Sequence, residues 1–300
     1  MTGLGELAAF GAATSWGIAS HLNSAVARRT GATSLAMLRL PYMIALCGLL
    51  CLVFGVNTRI GPEAVLLLGV SGFLGIALGD VLLYRAVLII GPTMAILVLS
   101  LSSCFTAVSG WLFLHEILPE QAVWGIGITI AGVAVVVVEH SESILMPGQA
   151  VPRGRTLLVG VGWALGAALS LTVGYLAQRM AMRTGVQPLW AGFLRASLAG
   201  VGLWALGGTL GWIRPAVRQF TDHPPIRLLL LLACFGGSVG IWASSYALAN
   251  VPAGVASTIT GLQPIVVAVT GAFWYRRKPT LKVVIGSLVA FGGSALVCLR

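Results

Sequence analysis

The stretch Gly125–Val138 reads GIGITIAGVAVVVV, and Gly286–Leu299, 161 positions later, reads GSLVAFGGSALVCL. Neither holds a charged residue, and glycine falls at the same two places in both, Gly125 with Gly286 and Gly132 with Gly293. Runs this continuous, with Ala64–Leu78 another, do not fit outer-membrane strands, which alternate apolar and polar residues over ~10-residue segments. They read as helices that cross a bilayer, whose hydrocarbon core asks for ~20 apolar residues per span.

Composition agrees with that reading. Of 300 residues 58% belong to the AVILMFWYC set, a further 39 are glycine, and only 9% are charged. A soluble domain holds ~45–50% apolar residues and ~25% charged ones, so this chain lacks the polar surface to cover itself in water. Disordered, collagenous, coiled-coil and soluble-enzyme classes are excluded. Five cysteines (Cys47, Cys51, Cys104, Cys234, Cys298) lie inside apolar runs with neither disulfide nor metal spacing, and read as small hydrophobes. No metal site or cofactor is expected. Met1–Ala9 carries no Lys or Arg ahead of its apolar stretch, so it does not read as a cleavable signal. The net charge of +10 sits at helix ends, where anionic lipid and orientation signals place it, and is not a nucleic-acid footprint.

Ten spans follow: Leu4–Ala25, Ser34–Gly55, Ala64–Leu83, Thr93–Leu114, Ala122–Val138, Leu157–Gln178, Leu189–Gly211, Leu228–Ala249, Ala253–Tyr275 and Leu281–Leu299. Gly, Pro and charge punctuate the gaps, as at Gly91-Pro92 and Val251-Pro252. If the spans alternate, only Arg59, Arg179, Arg183, Arg195 and Arg300 of the 18 Lys and Arg fall on the face of Met1. The positive-inside bias then puts both termini on the non-cytoplasmic side of an inner (plasma) membrane.

The 161-residue shift lays spans four and five on nine and ten without a gap, pairing Ala95 with Ala256 and Gly110 with Gly271 as well. Earlier in the chain, Arg29-Thr30-Gly31 corresponds to Arg183-Thr184-Gly185, and Arg39 to Arg195 after a two-residue insertion. The expected organisation is a first five-helix repeat over 1–140, a linker over 141–156 and a second repeat over 157–300. Five is odd, so the copies enter the membrane in opposite senses. Inverted repeats of this kind place a substrate site near the midplane, at their pseudo-twofold seam. The fold class expected is all-α and polytopic, with ten transmembrane helices as two inverted repeats around a central cavity.

Several short motifs resemble the EamA-type family of the drug/metabolite transporter superfamily. They are Ser15-Trp16-Gly17 in the first span, Leu114-His115-Glu116 after the fourth followed by Gly125 and Gly132, and Gln263-Pro264 followed by Gly286 and Gly293. The resemblance covers the whole chain. It implies a central cavity and export of amino acids or other small metabolites without ATP, and within the family it points to an exporter of aromatic amino acids. Two departures weaken the pattern in one copy. Ser103 stands opposite Pro264 where the family has a mid-helix proline, and Arg277 stands opposite Glu116 where it has an acid.

Asp80 is the only acid inside a span, where a charge costs ~2.5–3.5 kcal/mol on insertion scales and is a functional candidate by default. Arg39 enters its helix from the same face to a similar depth. Three uses of Asp80 stay open: a structural or gate-stabilising pair with Arg39, contact with substrate, and proton coupling. Arg85, just over a turn beyond Asp80, is a competing partner. Pro264 lacks an N–H and frees a carbonyl one turn back, a group tolerated in lipid only against protein or a wet cavity. Gln263-Pro264 and Ser102-Ser103 occupy equivalent midplane points, so both pairs are candidates for the site. Trp16, Trp163 and Trp242 lie deep in their spans, with Tyr84 and Tyr246 before the loops into spans four and nine. Rings with a polar handle suit a substrate that is apolar at one end, though packing is an equal use for each. His21 titrates in the physiological range if free, or else bonds between helices.

Lys occurs only at 278 and 282, and neither follows a Gly-rich loop, so no nucleotide-hydrolysing motif exists. No paired acids or His cluster suggests an enzyme; His115, Glu116 and Glu120 are the one group at interface depth. The expected function is a secondary transporter or facilitator exporting small metabolites by alternating access, with a monomer or weak homo-oligomer in the bilayer and no nucleic-acid or nucleotide partner. A channel, or a carrier of sugars or drugs, is the alternative.

Overall fold

A computed structural model describes residues 2–114, 120–139, 152–222, 225–275 and 280–298. His115 and Glu116, Arg276 to Lys278, Arg300 and most of the 141–156 linker lie outside the described residues.

The described chain is helical from end to end, in the order α1 (Thr2–Thr30), α2 (Ala32–Val53), α3 (Pro62–Gly72), a π-helical segment Phe73–Leu78, α4 (Gly79–Ile90), α5 (Pro92–Leu99), α6 (Leu101–Leu114), α7 (Glu120–Glu139), α8 (Gly154–Arg183), α9 (Pro188–Thr209), α10 (Ile213–Asp222), α11 (Pro225–Asn250), α12 (Ala253–Thr260), α13 (Gln263–Tyr275) and α14 (Leu281–Cys298). Among the described residues six stretches are long and apolar enough to cross a membrane: Ala32–Val53, Pro62–Ile90, Pro92–Phe113, Gly154–Arg183, Pro188–Thr209 and Ile226–Asn250. α1 is long enough but is diluted by Ser15, Ser20, His21, Asn23 and Ser24. α7 and α14 contribute the shorter apolar segments Val123–Gly132 and Val284–Gly293. Between the expected spans Leu189–Gly211 and Leu228–Ala249, where the sequence marks only a gap, the ten residues of α10 form an amphipathic helix with Ala216 buried against α2.

Glycine marks the ends as the sequence suggests. Gly31, Gly91 and Gly185 stop helices at φ of 83°, 78° and 82°, the left-handed region that only glycine enters freely. Gly31 and Gly185 hold equivalent places in the two copies, so the local backbone repeats along with the sequence.

The two copies meet through reciprocal contacts. A Cβ on Gly132 would strike the backbone of Gly286 and Ala290, and a Cβ on Gly293 would strike Gly125 and Thr129. Adding 161 to Gly125, Thr129 and Gly132 gives Gly286, Ala290 and Gly293. Each contact is therefore the other with the copies exchanged, as a twofold relation requires. The same exchange governs the first helices. α1 packs on α11, with Ser15 Oγ donating to the Gly236 carbonyl. α8 packs on the α3–α4 stretch, with Ser71 Oγ donating to Gly174 O at 2.6 Å and Ser170 Oγ to Leu74 O at 2.6 Å. Small residues at these crossings let backbones touch, which is how helices associate where lipid removes the hydrophobic drive between them.

Candidate functional site: a cavity at the seam of the two copies

The pieces enclose a cavity of about 120 Å³ at the junction of the two copies. Trp16, Ser20, Asn23 and Ser24 reach it from α1, Asp80, Leu83 and Tyr84 from α4, Tyr175 from α8, and Ile241 from α11. α2 and α9 each contribute one arginine, Arg39 and Arg195. Those two helices were not expected at the cavity. The sequence pairs Arg195 with Arg39 across the repeat but does not mark it as a cavity residue.

Both broken helices wall the cavity. α5 gives way to α6 at Ser100, and α12 to α13 at Gly261-Leu262, positions that the 161-residue shift superposes. The causes differ between copies. In the second, Pro264 has no N–H to offer the Thr260 carbonyl one turn back. In the first, hydroxyls take over: Ser100 Oγ donates to Leu97 O at 2.6 Å and Ser103 Oγ to Ser100 O at 2.7 Å. Serine at 103, the departure from the family's proline, thus meets the same interruption by a different route. Ser100, Ser102, Ser257, Thr260, Gln263 and Pro264 face the cavity from these breaks.

Arg39 and Asp80 form an ion pair at the cavity wall. The Arg39 guanidinium also lies 5.6 Å from the centre of the Tyr84 ring, within cation–π range. Tyr84 Oη, Arg39 Nε and Asn23 Oδ1 are buried without a hydrogen-bond partner, which leaves them available to something inside. Arg85 does not compete for Asp80; it stacks over Trp163 at 4.8 Å.

Of the residues singled out from sequence, Trp16, Tyr84, Ser102, Gln263, Pro264, Asp80 and Arg39 line the cavity. Five others stand elsewhere. His21 is buried and its Nε2 lies 2.8 Å from Thr270 Oγ1, tying α1 to α13. Ser103 spends its hydroxyl on its own helix. Trp163 packs under Arg85, Trp242 turns outward at 44% exposure, and Tyr246 is half-buried away from the cavity. Deep position along a span does not fix which side of the helix a ring occupies. Asn23, Ser100, Tyr175, Arg195, Ser257 and Thr260 were missed. A small-polar pattern at helical spacing was the available signal for the hydroxyls; none marked Tyr175. Among the described residues no three His, Cys, Asp or Glu converge as a metal site would need.

Trp16 is held by the absence of a side chain opposite. A Cβ on Gly240 would collide with its indole nitrogen, so Gly240→Ala pushes the ring into the cavity. Overpacking of this kind costs ~1–3 kcal/mol, and solute flux in liposomes is expected to fall about tenfold to a hundredfold with the protein still folded. Unchanged flux would show that Trp16 does not border the path.

The sequence profile of the EamA-like transporter family matches the chain twice, over residues 3–138 and 158–299. A solved crystal structure superposes with a TM-score of 0.67 at 18% identity, covering 97% of this chain and 95% of its own. That likeness concerns the fold alone. No curated protein sequence matches.

Proposed function

The chain belongs to the EamA-like transporter family, a family of multi-pass membrane proteins, and from that premise we propose that it is a secondary exporter of small metabolites, amino acids foremost and aromatic ones among them. The observation that supports this reading is the cavity at the seam of the two copies, lined by polar and apolar side chains and walled by helices interrupted at equivalent points. In this reading ten spans form two inverted units, 1–140 and 157–300, joined by 141–156, in an inner (plasma) membrane with both termini outside the cytoplasm. The units rock about the cavity and open it to one face at a time. The Asp80–Arg39 pair acts as a polar latch near the cytoplasmic end, and a gradient of substrate or ion drives the cycle without a nucleotide. The working unit is a monomer or a weak homo-oligomer, and its partners are the solute and the bilayer.

The test is flux of a labelled amino acid panel through purified protein in liposomes, with and without a pH gradient. Saturable efflux, stimulated by unlabelled solute on the far side, is expected of alternating access. Unitary currents in planar bilayers, without saturation, would replace the carrier by a channel; saturable flux of sugars or drugs but of no amino acid would change the cargo.

A further inference from the structure

Arg39 and Arg195 hold equivalent places in the two copies and both reach the cavity. Their surroundings differ. Arg39 is neutralised by Asp80. The 161-residue register that superposes Gly75 on Gly236 and Gly79 on Gly240 puts Ile241 where the second copy would need that acid. Ile241 lines the cavity too. Arg195 is left without a counterion: the ion pairs among the described residues are Arg39–Asp80 and Arg218–Asp222. Its Nε has no hydrogen-bond partner, and the residue is only 3% exposed.

A guanidinium does not give up its proton in proteins, so burial cannot be relieved by neutralisation. It is relieved by an anion. We propose that Arg195 is the anion-binding residue of the transporter, taking the carboxylate of the solute in charge-assisted hydrogen bonds from its terminal nitrogens. The proposal rests on the transporter reading above and narrows its cargo to carboxylates.

The surroundings fit that task. A Cβ on Gly72 would collide with the Arg195 carbonyl, so α9 lies directly on the α3 backbone and the arginine's main chain is fixed. At Gly75, in the π-helical segment, an added Cβ would sit 3.5 Å from Arg195 Nη2. The guanidinium thus lies in van der Waals reach of this segment, and π-helical turns recur at functional sites. The first turns of α6 and α13 begin at the same cavity wall, and the positive ends of their dipoles favour a negative group. Trp16, Leu83, Leu171 and Ile241 supply an apolar wall for the rest of the solute. Among the described residues lining the cavity, one unpaired guanidinium suits a monoanion; a phosphate dianion would want a second, and Arg39 is already paired.

Wild-type protein and the variants Arg195→Gln and Arg195→Lys are to be compared in liposomes with four tracers: L-phenylalanine, 3-phenylpropanoate, phenethylamine and inorganic phosphate. At least one of the two carboxylates is expected to cross saturably, with phenethylamine and phosphate slower by about thirtyfold or more. Losing one partner of a buried charged contact has an effect of that size. Arg195→Gln is expected to lose carboxylate flux by a similar factor, while Arg195→Lys retains part. In detergent, 3-phenylpropanoate should raise the melting temperature of the wild type but not of Arg195→Gln. The unliganded variant should melt no lower than wild type, since it sheds an uncompensated charge. A lower melting temperature would make Arg195 structural and overturn the proposal. So would carboxylate flux through Arg195→Gln within about threefold of wild type. Saturable flux of phenethylamine or phosphate alone would refute the carboxylate site but leave a transporter; no saturable flux of any tracer would remove the transporter reading itself.

Discussion

Asp80→Leu is expected to destabilise the protein by about 3–5 kcal/mol, because it strands the Arg39 guanidinium in a buried wall without its counterion. Arg39 is 8% exposed, and its Nε already lacks a hydrogen-bond partner. The stacking over Tyr84 recovers only a fraction, since a desolvated cation–π contact is worth ~2 kcal/mol. The double variant Arg39→Leu/Asp80→Leu should regain most of the loss, because replacing a whole buried pair by apolar side chains is often neutral or stabilising. Thermal unfolding of all four proteins in one detergent gives the cycle. Costs of the two single changes that simply add in the double variant would show that the pair is not an energetic unit. Flux through the double variant then separates fold from function: a stable protein that leaks or stalls is what a latch predicts, and unchanged flux would leave the pair purely structural.

Gly293→Val should be still more disruptive. The hydrogen that valine would replace faces the Thr129 amide and the Gly125 carbonyl, with a Cβ already 2.6 Å from that oxygen. Both are main-chain atoms of α7, so neither can rotate away as a flexible side chain would. Overpacking ordinarily costs ~1–3 kcal/mol; here whole helices must separate, and a cost above ~4 kcal/mol is expected. The readout is loss of a monodisperse peak on size exclusion in mild detergent. Gly132→Val, meeting Ala290 and Gly286 through the reciprocal contact, should fail in the same way and to a similar degree. Gly127→Val is the control, since nothing lies within 4 Å of a Cβ there, and it should purify like wild type. Tolerance of valine at 293 would show that α7 and α14 are not in backbone contact.

The two variants draw on different kinds of information. The glycine contact was legible in the sequence, because Gly125, Gly132, Gly286 and Gly293 keep one register and small residues in apolar helices mark close approach. The Arg39–Asp80 pairing was legible as matching depth from one face, since a buried acid needs a cation within reach. The turns at Gly31 and Gly185 were legible as breaks. The cavity's membership was not. Trp163, Trp242 and Tyr246 satisfied every criterion of depth and amphipathic character, yet they point into packing or outward. Arg195 was marked only as the repeat equivalent of Arg39, yet it faces the seam.

Sequence by itself determined that this chain lives in lipid as helices, that it is built twice, and that the second copy carries a proline midway along one span. Those properties follow from hydropathy, periodicity and the chemistry of proline, glycine and serine, all of which act locally. Tertiary structure alone decided which side chains share a space. Rotation of a helix about its own axis is set by contacts such as Gly72 on Arg195 and Gly240 on Trp16, which join residues more than a hundred positions apart. The register alone shows an arginine kept at 195 and Ile241 where the first copy has Asp80; only the fold shows that these residues face one cavity.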